Sequence, residues 1–369
     1  MRPEFSIALQ HVGLRYLPES LETKLDRNQT LDVIRGFLSW AVVAVHVAWL
    51  SGYHGSLQAY IGVWAVEGFI VLSGFVITQL LVTRREPYAK FIFRRFMRLF
   101  PAFAVCLAMA LLVRPFTLGA MIPTPYQIKL DASENQFFWW HLATHVSLTH
   151  GLIPANWLPL SSLAFLPPAW SISLEFQLYL VAPFAVWWIT RFGFRGLAFL
   201  VLVSALIFVP QIQETINHIW TPTGAFLPQK LFFFLVGMTM YFFFQRCGKR
   251  IRYWPIFVRL GEVSYSTYLV HWPVLACLNI FVPSDWSRME RAEALLATGA
   301  PITLLCSFLL YRFVERPGIA LGRHLLNEKT KSILIPHGER RPNQMVKSPK
   351  PPIERASRRS FLSDGSFPN

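Results

Sequence analysis

Long apolar runs leave this chain few folds to choose from. Eight stretches, at roughly 31–51, 61–83, 99–118, 171–190, 196–213, 226–245, 264–282 and 293–314, each hold 18 to 23 mainly apolar residues. About 20 such residues, rising 1.5 Å each in a helix, cross the hydrocarbon core of a bilayer. Charged residues make up only 15% of the chain, against about 25% in soluble domains. The pattern excludes a secreted soluble protein and an intrinsically disordered one. It predicts an all-α, polytopic membrane helical bundle of about eight transmembrane helices.

The net charge of +15 invites a nucleic-acid reading, but the positions of the charges point to the lipid bilayer as partner. With the N-terminus inside, 30 of the 35 Lys and Arg residues fall in inner segments or at an inner helix edge. Arg114, Lys129, Lys230, Arg288 and Arg291 are the remaining five. The positive-inside rule then sets both termini in the cytoplasm. Residues 1–30 lack the apolar core and cleavage site of a signal peptide and are read as a cytoplasmic leader. Residues 31–317 form the membrane domain. Residues 318–369 form a basic tail, expected to be disordered beyond 327 because few apolar residues remain there. The four cysteines show no paired spacing, so neither a disulfide framework nor a zinc site is indicated.

Ionisable groups inside a membrane cost several kcal/mol unless paired or facing a wet cavity, so they are the informative residues. Arg35 and His46 are eleven residues apart in the first run. That spacing puts them on one helix face, about 16 Å apart along the axis. The second run holds Glu67 and Ser73, with Gly68 and Gly74 permitting close helix approach. Glu67 needs a partner; Arg35 and His46 are the nearby cations, and a carboxylate that orients a histidine makes it a better base. A Glu paired only for packing fits the same residues. In the connection RREPYAKFIFRRFMR (84–98), Arg95 and Arg98 share a helical face. They serve topology, or bind phosphate through the bidentate guanidinium. Glu175 and His271 are further ionisable groups within apolar runs. The long outer connection, 119–170, contains FFWWHLATHVSLTHGL (137–152), too polar to span and read as interfacial or re-entrant. His141, His145 and His150 lie within it, without a carboxylate or Cys to complete a metal set; no metal is expected.

Taken together and in order, LDVIRGFLSWAVVAVHV, EGFIVLSGFVIT, FIFRRFMRLFP, WSISLEFQLYL, LGEVSYSTYLVHWPV and VERP resemble the segments of the bacterial membrane acyltransferase 3 family, which O-acetylates lipopolysaccharide and related glycans. The likeness runs from about 31 to 317. The family usually has ten spans, and Phe176 stands where a second Glu is common. The resemblance implies an O-acyltransferase of the bacterial inner membrane, with cytosolic acyl-CoA (acetyl-CoA) as donor and a glycan or glycolipid as acceptor. It also implies roles: His46 as base, or as a transient acyl carrier, with Glu67 beside it, Arg95 and Arg98 on the donor phosphates, and Arg35 along the pantetheine arm. Asp32, Ser73, Trp170, Ser173, Glu175, Tyr179 and His271 would line the site. A transporter or flippase of a lipid-linked sugar would use the same polar residues as a pathway. Slow hydrolysis of acetyl-CoA without acceptor separates the two.

Overall fold

The computed structural model describes residues 29–84, 86–117, 125–220, 224–244 and 253–333, with the side chains of 125–126 and 327–333 excepted. The expected leader up to residue 28 and the tail from 334 lie outside the described residues. Twelve α-helices carry the described chain: α1 (Gln29–Leu50), α2 (Ser56–Thr83), α3 (Tyr88–Thr117), α4 (Pro125–Gln136), α5 (Phe138–Val146), α6 (Trp170–Ala205), α7 (Pro210–Ile219), α8 (Leu231–Phe244), α9 (Pro255–Glu262), α10 (Ser264–Asn279), α11 (Arg288–Leu310) and α12 (Arg316–Ile333). Between α11 and α12 the chain makes one π-helical turn, Tyr311–Glu315.

Five helical elements are long and apolar enough to cross a membrane. Their outward surfaces are apolar too: Leu112 is 75% exposed, Phe199 53% and Leu305 60%. Hydrocarbon suits such a surface and water does not. All eight apolar runs are mostly helical, and two features bear on how they divide into spans. The runs 171–190 and 196–213 fall largely in one element, α6, broken at Gly193 (φ 60°, ψ −144°). A residue without Cβ takes that positive φ without steric cost, so the chain changes direction with no loop. In addition, α8 and α10, with 14 and 16 residues, extend only about 21 and 24 Å. Helix α10 is buried almost all round and packs on α1, α3 and α11. Hydropathy does not distinguish such a core helix from one that faces lipid.

Glycines set the closest crossings. A Cβ at Gly237 of α8 would lie 1.9 Å from the Val71 carbonyl of α2, and one at Gly74 would lie 2.1 Å from the Phe234 carbonyl. Likewise a Cβ at Gly261 of α9 would lie 2.0 Å from the Asp32 carbonyl of α1. Backbone thus meets backbone at both crossings, the close approach small residues allow in membrane helices. The α1–α9 crossing fixes the turn that carries Arg35.

The connection after α3 is tied down by one charged group. Arg114 donates to the Glu134 carboxylate at 2.7 Å and to Asn135 Oδ1 at 2.7 Å. The second Glu134 oxygen accepts from the Phe165 backbone N–H at 2.8 Å. Within this connection α5 covers part of 137–152, with His141 and His145 buried and Trp139 and Trp140 exposed.

The glycine contacts distinguish two substitutions that sequence alone treats alike. Gly74→Ala should destabilise the protein by about 1–3 kcal/mol, the usual cost of overpacking. Gly68→Ala meets only the flexible Leu38 side chain, at 3.0 Å, and should unfold close to wild type. Thermal unfolding of both proteins in detergent checks this; equal losses would overturn it.

Candidate active site

Helices α1 and α10 run past two cavities, one at their N-terminal turns and one further along. The first has a volume of about 280 Å³ and is lined by Arg35, Ser73, Arg95, Arg98, Glu175 and Tyr179, among others. It is strongly basic, with three guanidinium groups to one carboxylate. Glu175 accepts a hydrogen bond from the Tyr179 hydroxyl one turn on. The Arg95 guanidinium lies 5.8 Å from the Phe91 ring centroid and 5.7 Å from that of Tyr179. Its Nε is buried without a partner. Neighbouring Arg94 is engaged by the Glu86 carboxylate, and Arg35 has Asp32 at 3.8 Å.

The second cavity, of about 410 Å³, is lined by His46, Trp49, His54, Gln58, Gln127 and Trp272 with apolar neighbours. Its chemistry centres on a pair of imidazoles. His271 Nδ1 lies 3.1 Å from the Thr267 carbonyl, and an oxygen of that kind only accepts, so Nδ1 carries the proton. His271 Nε2 is therefore a lone pair, and it faces His46 Nδ1 at 3.3 Å. His46 Nδ1 also lies 2.9 Å from the Val42 carbonyl, so it is N–H as well. This hydrogen-bond network leaves His46 Nε2 unprotonated and available as a base. His271 has no exposed surface. It sits between the cavities, its ring 5.0 Å from His46 and 6.1 Å from Tyr268, which lines the first cavity.

Six of the residues singled out from sequence thus line one cavity, and His46 lines the other. Glu67 is placed elsewhere: its carboxylate takes Lys230 Nζ at 2.6 Å, rather than His46 or Arg35. The tight α2–α8 crossing brings that lysine, just before α8, onto α2. Ser173 is also engaged structurally, donating to the Leu148 carbonyl at 2.7 Å and accepting from Gly151 N–H at 3.1 Å. Trp170 packs against the core. Neither of these two lines a cavity. Sequence reasoning missed Tyr265, Tyr268, Trp49, Gln58 and Trp272. A signal was present for one of them: Tyr268 shares a helix face with His271, three residues on.

Comparison with known proteins matches residues 28–256 to the family described as "Acyltransferase domain". The O-acetyltransferase OatA of Staphylococcus aureus (strain NCTC 8325 / PS 47) is 29% identical over 190 residues, 48% of this chain and 28% of the relative. The peptidoglycan O-acetyltransferase OatA of Listeria monocytogenes is 30% identical over 165 residues, 42% of this chain and 23% of the relative. The matched stretch therefore spans well under a third of these curated relatives. No solved structure matches. The family match ends before α10, so Tyr268 and His271 lie beyond it.

The histidines after α4 form a separate, buried cluster. His145 and His150 stack with centroids 4.1 Å apart, and His141 Nε2 lies 3.0 Å from Ser133 Oγ. Among the described residues no group of three or more His, Cys, Asp or Glu is arranged to hold a metal ion. Burial lowers the pKa of His141 and of His150 to about 4, from about 6.5 in an unfolded chain. Between those values the unfolded state binds more protons, so stability rises with pH there. The contribution is complete above pH 6.5 and is lost as pH falls toward 4. The unfolding temperature in detergent should drop across that window, and less steeply in His150→Gln. An identical slope in the variant would remove the cluster from the explanation.

Proposed function

The chain belongs to the acyltransferase 3 family, and from that premise we propose that it is a multi-pass membrane O-acetyltransferase acting on a glycan hydroxyl. The observation that carries this reading is the placement of an arginine-lined cavity and a histidine-lined cavity on either side of His271. In the N-in orientation that the charge distribution favours, the arginine cavity opens toward the cytosol. Arg95 and Arg98 engage the phosphates of acetyl-CoA, and Arg35 lies along the thioester arm. The histidine cavity takes the acceptor from the opposite side.

In this mechanism His46 Nε2 removes the proton of the acceptor hydroxyl as its oxygen attacks the thioester carbonyl. The C–S bond breaks, and the departing CoA thiolate receives the proton from His46. His271 is a positioning residue. Its Nε2 lone pair holds His46 in the tautomer whose Nε2 is free, and it shares the charge on Nδ1–H when the imidazolium forms. Glu67, paired with Lys230, braces α2 against α8 and supports the site from outside. The relatives named O-acetyltransferases support the acetyl group as cargo, and the Listeria relative's name supports a cell-wall glycan as acceptor.

Two measurements test the assignment. Replacing His46 by Ala should leave the protein folded and lower acetyl transfer by roughly 10²–10⁴-fold, the usual contribution of a general base; more than a few per cent residual transfer would sink the role. In His271→Gln kcat should fall while the KM for acetyl-CoA holds, since the donor cavity is untouched.

On the donor side, Arg98→Ala should weaken acetyl-CoA binding about ten- to a hundredfold, the range expected for a charge-assisted hydrogen bond. Arg98→Lys should restore it only in part, because an ammonium lacks the bidentate fork. Wild-type affinity in both proteins, measured in detergent, would remove the donor site.

A further inference from the structure

We propose that the histidine-lined cavity is built for a single uncharged pyranose ring, which rests on the acyltransferase reading above and narrows its acceptor. The argument starts from size. A volume of about 410 Å³ lies near the lower end of small-molecule pockets, which run from roughly 300 to 1,000 Å³. It holds one sugar ring with its substituents, leaving the rest of a polymer outside.

The lining supplies what a sugar ring requires. Trp49 and Trp272 stand with centroids 5.8 Å apart at 43°, and His54 closes against Trp49 edge-on at 6.0 Å. Trp272 in turn meets His46 edge-on at 5.4 Å. The C–H face of a pyranose is apolar and lies well on indole, while its rim of hydroxyls needs hydrogen-bonding groups. Gln58 supplies an amide at the rim, fixed by donation of its Nε2 to the Val45 carbonyl at 2.9 Å. Trp272 is only 6% exposed, so Trp49 offers the open face, and a ring seated on it shares the cavity with His46.

Charge selects further. Among the described residues the cavity lining contains no Asp, Glu, Lys or Arg. Arg114, which lines the adjoining cavity, and Arg291, beside the Leu50 carbonyl at the end of α1, are already engaged. Arg114 is held by Glu134 and Asn135; Arg291 donates to Asn279 Oδ1 at 3.0 Å and to the Pro283 carbonyl at 2.8 Å. A carboxylate on the ring would lose its water and gain no cation, a loss that unpaired buried charges do not recover. Uronic and sialic acids are therefore excluded as the residue acetylated, whatever else the glycan carries.

The experiment presents purified protein and acetyl-CoA with three glycosides: methyl glucoside, methyl N-acetylglucosaminide and methyl glucuronide. Mass spectrometry reads the acetylated products. At least one neutral glycoside should be acetylated with a kcat/KM about tenfold or more above that of the glucuronide. Trp49→Ala should raise the KM for that glycoside about tenfold, and Trp49→Phe, which keeps an aromatic face, should restore much of it. Equal use of the glucuronide, or an unchanged KM in Trp49→Ala, would overturn the proposal. So would an enzyme that hydrolyses acetyl-CoA but acetylates neither neutral glycoside. A protein that neither binds nor hydrolyses acetyl-CoA would instead overturn the acyltransferase reading beneath it.

Discussion

A polar side chain surrounded by hydrocarbon can bond only to other parts of the protein, and that constraint organises the whole interior of this chain. Glu67 is matched by Lys230, Asp32 by Arg35, and the buried Glu315 by Ser266 Oγ at 2.7 Å. Each match ties two helices together or steadies one turn of a helix. Against this background Arg95 is conspicuous. It is packed on two aromatic rings with Nε unpartnered, and removing a charged group from water in this way is costly unless a ligand completes it. Two more arginines in the same cavity make an anion the fitting occupant.

Several elements were legible from sequence because they depend on local spacing. The 3.6-residue period places Arg35 and His46 on one face of α1, and Arg95 and Arg98 together on α3; the cavities confirm those shared faces without testing what the residues do. Partners across the fold were not legible. Glu67 and Lys230 are 163 residues apart, and His46 and His271 are 225 apart. No local rule links such positions; the α2–α8 glycine crossing and the burial of α10 do so only once the helices are assembled. The break at Gly193 was missed for a related reason. Hydropathy registers two apolar runs, but whether a loop or a single glycine joins them is a matter of backbone conformation.

Helix α10 is where the two chemistries meet. Its first turns give Tyr265 and Tyr268 to the arginine cavity, its middle gives His271 to His46, and Trp272 faces the second cavity. A helix of 16 residues buried almost all round makes a poor membrane span, yet it makes a rigid wall shared by both cavities. Rigidity matters because a base must be held within hydrogen-bonding reach of the proton it takes. The Thr267 carbonyl beneath His271 and the Val42 carbonyl beneath His46 supply that hold from each helix's own backbone.

The identity of the group behind His46 has a chemical consequence. A carboxylate there would have stabilised the imidazolium, but it would also have placed a permanent anion in a buried site and near the route proposed for a polyanionic donor. A neutral histidine avoids that desolvation cost in the resting state. It also stabilises the imidazolium less, so a proton taken from the acceptor is not stored on His46 for long. In acyl transfer that is no handicap, because the thiolate released in the same event is a ready acceptor. In the proposed mechanism the pair passes a proton from one substrate to the other, which requires both substrates to be bound at once with their reacting groups meeting at His46.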